Sequence, residues 1–292
     1  MEKKKRVNHI LPVYYLKGFC EPGSSFVWVF RRGQSYRPGV IKDCDNPYRS
    51  RPRKTAKERD RNTVTNPDGT RDFNTFENTF QRIETKADKP LAKVRARELV
   101  TQEDKEKLAR YIGLMLKRVD KRKEIFDALL DKHLVSLAED RVARELAYQG
   151  HFRSAYDMFN VAEYLRSQEC RKYLFVRSGA EPFKIVHKAI MEMRWEFVMA
   201  PSDKYFVTSD NPVIYDTHFG LKRSPLFFPI DQRTALIATW YGENDLPYIE
   251  GSSEQVLKVN SIIIAMANNE VYAHTSDKSI HQALENGVLF TT

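Results

Sequence analysis

Residues 204–215 spell KYFVTSDNPVIY, in which two short apolar runs flank a turn-forming SDNP segment. Similar runs occur nearby as WEFVMA (195–200), LFFPID (226–231) and TALIATWY (234–241). Turn-forming Pro, Asp and Asn residues lie between them, which is typical of adjacent antiparallel strands. Residues 194–292 are therefore predicted to be rich in β-sheet.

Helical periodicity dominates the preceding part of the chain. Three phenylalanines and an isoleucine recur at spacings of three and four between residues 73 and 83, which places them on one helix face. Pro90 is expected to kink or break this helix. The residues T-Q-E-D at 101–104 resemble a capping box and open a second helical run. Residues 72–193 are thus predicted to form a helical region.

The N-terminal quarter combines one strand signal with a polar segment. SFVWVFRR (25–32) is rich in β-branched and aromatic residues and predicts a strand at 26–31. Residues 33–72 are basic and contain four prolines, which indicates a long basic loop. We expect the N-terminal strand to join the C-terminal sheet. The fold class is then α+β, a central helical bundle packed on a mostly antiparallel sheet formed by N-terminal and C-terminal strands, in one domain of residues 1–292.

Composition excludes several classes of protein. A hydrophobic share of 41% is too high for a disordered chain, and no run approaches the roughly 18 apolar residues of a membrane helix. The first ten residues, MEKKKRVNHI, lack the apolar core of a secretory signal. Three widely spaced cysteines encode neither a disulfide framework nor a zinc site. We expect a cytoplasmic protein without a membrane partner, and the sequence leaves its oligomeric state open.

The excess positive charge of the chain is concentrated in residues 1–65. Residues 1–65 hold sixteen Lys and Arg against six Asp and Glu, while the net charge of the whole chain is +9. Clusters of this kind attract phosphate-bearing ligands, so nucleic acid is the expected partner. One cluster lies at residues 3–6 and a second between residues 49 and 61. For the second cluster, a solvated loop without a ligand is the alternative. The predicted nucleic-acid-binding residues are Lys3, Lys4, Lys5, Arg6, Arg51, Arg53, Lys54 and Arg59.

His9 opens the run HILPVYYLKGF at 9–19. Pro12 restricts the backbone near His9, while apolar side chains of the run pack on one side of a short helix. A histidine held in this way can bind a metal or transfer a proton near neutral pH. The alternative is a histidine whose hydrogen bonds are satisfied within the fold.

Asp210 follows an apolar run, within T-S-D-N-P-V at 208–213. A carboxylate on a turn at the rim of a sheet is common in metal-dependent enzymes. The competing interpretation is an Asx-turn, in which Asp210 or Asn211 caps the backbone.

Glu77 and Glu84 are seven residues apart and lie on nearly the same helix face, and Arg118 lies among apolar positions of a later helix. Two carboxylates and a semi-buried guanidinium can form a divalent-metal or phosphate site, which Asp210 and His9 would complete. A structural salt bridge is an equal alternative.

These residues together resemble a family of uncharacterised bacterial, fungal and phage proteins, domain of unknown function 4238 (DUF4238). The resemblance spans most of the chain and rests on HILPVYYLKGF, the Phe76-Glu77 and Ile83-Glu84 pairs, Arg118, FVTSDNPV at 206–213 and FFPID at 227–231. Because the family has no established activity, the resemblance implies an architecture and the importance of His9 and Asp210 rather than a reaction.

The leading functional hypothesis is a metal-dependent phosphodiesterase, a nuclease acting on DNA or RNA in antiviral defence or another conflict with mobile elements. Asp210, Glu77 and Glu84 would bind Mg²⁺ or Mn²⁺. His9 would act as base or ligand, and Arg118 would hold a phosphate oxygen. One alternative is a non-catalytic module that binds nucleic acid or an acidic protein through the basic N-terminal quarter. Another is a hydrolase of a small phosphorylated metabolite.

Overall fold

The computed structural model describes residues 4–65, 70–119, 184–215, 225–241 and 247–286. Whereas the sequence analysis treats the chain as one domain, its residues group into two compact units. Among the described residues, the small unit contains 4–8, 59–65 and 70–80, and the large unit contains 9–58, 81–119 and those from 184 onward.

The fold class is α+β, as predicted. The helices of the described residues are α1 Val13–Leu16, α2 Thr75–Ala96, α3 Gln102–Lys117, α4 Lys184–Glu192, α5 Ser253–Ala265 and α6 Lys278–Asn286. The strands are β1 Val7–His9, β2 Val27–Arg31, β3 Tyr48–Ser50, β4 Lys57–Arg59, β5 Val64–Thr65, β6 Arg71–Asp72, β7 Arg194–Met199, β8 Thr208–Ser209, β9 Ile214–Tyr215, β10 Leu226–Pro229, β11 Thr234–Thr239, β12 Tyr248–Glu250 and β13 Glu270–Ala273. Two 3₁₀ turns occupy Lys17–Phe19 and Pro52–Lys54. None of the described helices is both long and apolar enough to cross a membrane.

A five-stranded sheet in the large unit has the order β12-β7-β11-β10-β9. Its pairs are antiparallel except β12 with β7, which are parallel. The register pairs Leu236 with both Phe197 and Phe228, and all three side chains are at most 1% exposed. Alternation along each strand places these residues on one face, where they enter the main hydrophobic core.

A second sheet of the large unit joins the two chain ends. Its order is β3-β2-β13-β8, and every pair is antiparallel. In β2 and β13, Val29 pairs with Tyr272 and Phe30 pairs with Val271, and all four side chains are fully buried. The predicted pairing of N-terminal with C-terminal strands is confirmed, although the described strands form four sheets where one was expected: these two and the two-stranded sheets β1-β4 and β5-β6.

Two predicted helical features have different outcomes. The capping box of α3 is present, because the Thr101 hydroxyl accepts from the Asp104 amide while Asp104 accepts from the Thr101 amide. The predicted break at Pro90 does not occur, since α2 continues to Ala96, whereas the predicted kink stays a prediction. Ala87, Leu91 and Val94 of α2 are fully buried, and their packing offsets the hydrogen bond that Pro90 removes. Residues 120–183 of the predicted helical region lie outside the described residues.

Residues 33–72 differ from the predicted long loop, because they contain the short strands β3 to β6. The buried side chain of Asn46 fixes this segment to β2. Its carbonyl accepts from the Arg31 amide at 2.8 Å, and its amide donates to the carbonyls of Arg31 at 2.9 Å and Gln34 at 2.8 Å. One side chain thus replaces several backbone pairings, and the sequence pattern does not reveal it.

Candidate functional site

Asp210 follows β8 and is bonded to the backbone of the large unit. Its carboxylate accepts the N–H groups of Asn268 at 2.8 Å, Asn269 at 2.7 Å and Glu270 at 3.1 Å. Burial raises the pKa of Asp210 to about 6, and the three N–H donors act in the opposite direction. Both carboxylate oxygens are directed to the distant turn between α5 and β13, so Asp210 bonds backbone N–H groups without forming the local Asx-turn of the competing interpretation.

The neighbours of Asp210 bond to the same part of the backbone. The side-chain amide of Asn211 donates to the Met266 carbonyl at 2.9 Å. The Ser209 hydroxyl accepts from the Asn211 amide at 3.2 Å and donates to its carbonyl at 2.9 Å. The S-D-N motif is therefore a device that connects β8 to the end of α5.

Arg118 and Glu84 form an ion pair at 2.5 Å between Nη2 and Oε1. The side chain of Arg118 is 6% exposed and that of Glu84 is 24% exposed, so the pair is largely removed from water. Nη1 of Arg118 also donates to the backbone carbonyl of His9 at 3.3 Å. The structure thus brings together three of the predicted residues, in the geometry of the salt-bridge alternative.

Glu77 belongs to the small unit and is engaged there by two amides. Its Oε2 accepts from Asn8 at 3.1 Å and from Asn62 at 2.8 Å. Across the described ranges, no three His, Cys, Asp or Glu side chains are grouped so that they can hold a metal ion. The carboxylates of Asp210 and Glu84 are directed to N–H donors, and this donor set does not fit Mg²⁺, which needs several oxygen ligands. The divalent cation stays a prediction.

Tyr15 connects three motifs in the core of the large unit. Its hydroxyl donates to the Pro229 carbonyl at 2.8 Å and is 2.7 Å from Thr208 Oγ1. The rings of Tyr15 and Phe228 are stacked with centroids 5.3 Å apart. Burial raises the pKa of Tyr15 above its usual range, so the hydroxyl stays protonated. The motifs HILPVYYLKGF, TSDNP and FFPID therefore converge on one buried hydrogen-bonded contact.

Arg95, which is not among the predicted site residues, connects α2 to two of these motifs, HILPVYYLKGF and FFPID. Its Nη2 lies 3.3 Å from the Tyr14 carbonyl, 3.2 Å from the Tyr15 carbonyl and 3.3 Å from the Ile230 carbonyl. Its Nε is 3.9 Å from a carboxylate oxygen of Asp231. A guanidinium suits this position because its planar donors can bond several carbonyls at once.

We expect Gly18→Ala to lower the free energy of unfolding by about 1–3 kcal/mol, since overpacked sites lose stability on this scale. A Cβ at Gly18 would lie 2.8 Å from Arg95 Nη2, 2.8 Å from Asp231 Cβ and 3.1 Å from the Ile230 carbonyl. Urea denaturation followed by circular dichroism measures the effect.

Gly113→Ala is the matched control for this measurement. A Cβ at Gly113 meets nothing within 4 Å, and the residue lies inside α3. The change is expected to stabilise the protein by about 0.5–1 kcal/mol through helix propensity. Equal effects of the two substitutions would contradict the crowding at Gly18.

A basic cavity of about 640 Å³ lies in the large unit, beside β2 and β3. It combines five cations with two aromatic rings and has no acidic lining residue. The lining consists of Phe26, Val40, Lys42, Tyr48, Arg49, Ser50, Arg51, Lys54 and Lys57. The predicted residues Arg51 and Lys54 belong to this basic cavity, whereas Arg53 does not line it.

Three cations of the basic cavity lie close to its two aromatic rings. The guanidinium carbon of Arg49 is 4.7 Å from the centroid of the Phe26 ring, and that of Arg51 is 5.4 Å from it. Nζ of Lys42 is 6.0 Å from the centroid of the Tyr48 ring. These separations are typical of cation–π contacts. The sequence signal that could have identified Phe26 is an aromatic residue at the start of a strand that pairs with a basic segment.

Glu21 holds Arg49 in place. Its Oε2 contacts Arg49 Nη2 at 2.5 Å, and its Oε1 accepts from the Trp28 indole at 2.6 Å. Burial of Glu21 acts to raise its pKa, but the hydrogen bonds from Arg49, Ser24 and Trp28 outweigh it, so the pKa is lowered. Within the described residues no carboxylate pairs with the other four cations of the basic cavity, which are Lys42, Arg51, Lys54 and Lys57.

The predicted N-terminal cations lie in the small unit, around the ring of Phe73. Lys4, Arg6 and Arg71 each place a cationic atom 5.1 to 5.6 Å from its centroid. Arg6 Nη2 also bonds Asp60 at 2.6 Å, and this hydrogen bond lowers the pKa of Asp60 to about 2.

The remaining predicted cations differ in their engagement. Lys5 Nζ donates to Asn78 at 2.7 Å, within the small unit. Arg59 is 70% exposed, with its Nε 3.9 Å from Asp60. Lys3 lies outside the described residues. Arg6 and Lys5 are thus committed to contacts inside the small unit, unlike the unpaired cations of the basic cavity.

A family model described as a protein of unknown function, DUF4238, matches residues 8–277. The search of curated proteins and the search of solved structures give no match.

Proposed function

This chain belongs to the DUF4238 family, and we propose that it binds nucleic acid through the basic cavity of the large unit. One observation carries the proposal. Four cations of the cavity have no carboxylate partner in the described part of the chain, and two of them, Lys42 and Arg51, lie close to the aromatic rings of Tyr48 and Phe26.

Charge supports a polyanionic ligand. Residues 1–65 contain ten more cationic than anionic side chains, so the protein has a strongly positive region. Each phosphate that a Lys or Arg neutralises releases condensed counterions, which favours binding at low salt. The residues Arg51, Lys54 and Lys57 are exposed and therefore reach solvent-borne phosphates.

Aromatic side chains favour nucleic acid over an acidic protein. The ring of Phe26 is partly exposed and can stack on a base, whereas the carboxylate of an aspartate or glutamate is too small to cover a ring. The carboxylates of an acidic protein would use the cations alone.

We also propose a cytoplasmic location, which the free thiols of Cys20 and Cys44 support, because reduced cysteines are usual in that compartment. The role in defence and the cleavage of nucleic acid stay predictions, as does the hydrolysis of a phosphorylated metabolite. Incubating the protein and labelled nucleic acid with Mg²⁺ or Mn²⁺, followed by gel electrophoresis, tests cleavage directly.

We expect Lys54→Gln/Lys57→Gln to weaken binding of an oligonucleotide by about twentyfold at roughly 0.1 M salt, because two phosphate contacts are lost. The slope of log affinity against log salt should become less steep by about 1.4 for single strands. Fluorescence anisotropy over a salt series measures both quantities.

The control is Lys188→Gln/Lys258→Gln, which removes the same charge from exposed lysines of α4 and α5. A control that loses as much affinity as the double variant of the cavity would show a general charge effect and overturn the proposal. In a competition experiment, polyglutamate and unlabelled oligonucleotide are added at equal charge to displace the labelled oligonucleotide. If polyglutamate displaces it equally well, the result would instead indicate an acidic protein partner.

A further inference from the structure

We propose that the basic cavity selects unpaired over base-paired strands, with the Phe26 ring as the stacking platform for one base and Lys54 and Lys57 as the sites for its flanking phosphates. This inference rests on the proposed function and specifies the ligand. It concerns single-stranded nucleic acid as a class, because stacking and phosphate contacts are common to DNA and RNA.

The size of the cavity supports an unpaired ligand. Its volume of about 640 Å³ is within the range of pockets that enclose one small molecule, about 300–1,000 Å³. A single nucleotide turned out from its strand fits a space of this size. A base within a duplex is covered on both faces by its neighbours and cannot offer a face to the Phe26 ring.

The backbone of Phe26 is fixed before any ligand arrives. Its carbonyl accepts from the Glu21 amide at 2.8 Å, and its amide donates to the Ser24 hydroxyl at 3.1 Å. The residue directly precedes β2, which pairs with β3 and β13. A ring on a rigid strand end loses little entropy when a base stacks on it.

Four cations of the cavity divide into two groups. Arg49, which Glu21 holds, and Arg51 both have a guanidinium carbon within 5.4 Å of the centroid of the Phe26 ring, and a guanidinium plane is itself a surface on which a base can stack. Within the described ranges, Lys54 and Lys57 contact neither a ring nor a carboxylate, and their ammonium groups are available to phosphate oxygens. The wall therefore offers a stacking surface beside two point charges, the combination that recurs in proteins that bind single strands.

The experiment compares fluorescence anisotropy of labelled single-stranded DNA, single-stranded RNA and a DNA duplex of the same sequence, each of about 12 nucleotides, a usual site size. Wild-type protein should bind both single strands more tightly than the duplex. Phe26→Leu should weaken single-strand binding roughly 5- to 150-fold, the range that the loss of one stacked base predicts, and should change duplex binding little.

Two further variants control for the ring and for folding. Phe73→Leu removes a ring that also contacts three cations but lies in the small unit, and it should leave affinity unchanged. Phe26→Tyr keeps a stacking face and should retain wild-type affinity, which a merely structural role of the ring in the hydrophobic wall would not require.

The outcomes separate this inference from the proposed function. If Phe26→Leu leaves single-strand binding intact, or weakens duplex and single strands equally while Lys54→Gln/Lys57→Gln still lowers affinity, the preference for unpaired strands is overturned and nucleic-acid binding survives. If the lysine variants also have no effect, both proposals fail.

Discussion

Asp210→Ala is expected to lower the free energy of unfolding by about 3–5 kcal/mol, because three part-buried N–H groups lose their acceptor. Each stranded donor costs roughly 1–3 kcal/mol, and some relaxation of the turn reduces the sum. The carboxylate holds the turn between α5 and β13, so its loss should loosen the attachment of β13 to the four-stranded sheet. Urea denaturation followed by circular dichroism measures the change.

Asp203→Ala is the control for Asp210→Ala. The side chain of Asp203 is 66% exposed and pairs with the neighbouring Lys204 at 3.2 Å, so its loss should change stability by less than about 0.5 kcal/mol. If Asp210→Ala is as stable as wild type and yet abolishes cleavage of nucleic acid, the structural role fails and the catalytic hypothesis for Asp210 gains support.

Arg118→Met is expected to lower the free energy of unfolding by about 2–4 kcal/mol, since removing one partner of a buried ion pair leaves the other charge uncompensated. The figure lies at the lower end for buried pairs because the Glu84 side chain is 24% exposed. The His9 carbonyl also loses a donor. Thermal and urea denaturation of the variant measure the loss.

Arg110→Met supplies a matched comparison, because Arg110 lies in α3 and Arg118 is the residue that directly follows it. Arg110 pairs with Glu106 at 2.7 Å, but both side chains are more than 40% exposed, and exposed pairs contribute only about 0–1 kcal/mol. Arg118→Met and Arg110→Met of equal stability would show that the guanidinium of Arg118 is not needed by the fold. Such a result would favour its use for a phosphate oxygen.

Much of the fold could be predicted from local pattern. Alternating apolar residues indicated β7, β10 and β11, and the spacing of apolar residues indicated α2. The capping box at Thr101 was visible because its two partners are three residues apart. Features of this kind depend on residues that are close in sequence, so they can be predicted from one sequence alone.

Features that depend on distant partners could not be predicted. Arg95 bonds carbonyls of residues 80, 81 and 135 positions away, and nothing in the helix pattern of α2 distinguishes it from other cations. Asn46 orders a segment that composition alone assigns to a loop. In both cases one polar side chain satisfies several backbone groups.

The candidate site was predicted in part. The basic cluster was visible as charge density, and Arg51 and Lys54 of the prediction line the cavity. Phe26 and Lys42 are not among the predicted site residues, because they lie outside the basic cluster in sequence and reach the cavity only through the fold. The predicted carboxylates were polar residues of the family motifs, but Asp210 bonds backbone N–H groups and Glu84 bonds a guanidinium. Sequence identifies such residues without showing which partner they face.

The pairing of β2 with β13 has a consequence for translation. Residues 27–31 leave the ribosome long before residues 270–273, so β2 has only β3 beside it while most of the chain is still being made. Its other edge stays open in the nascent polypeptide, and the pairing partners of Val29 and Phe30, which are fully buried in the folded chain, are still missing. An unpaired apolar edge of this kind is a site for chaperone contact or for association between polysomal neighbours until β13 arrives to close it.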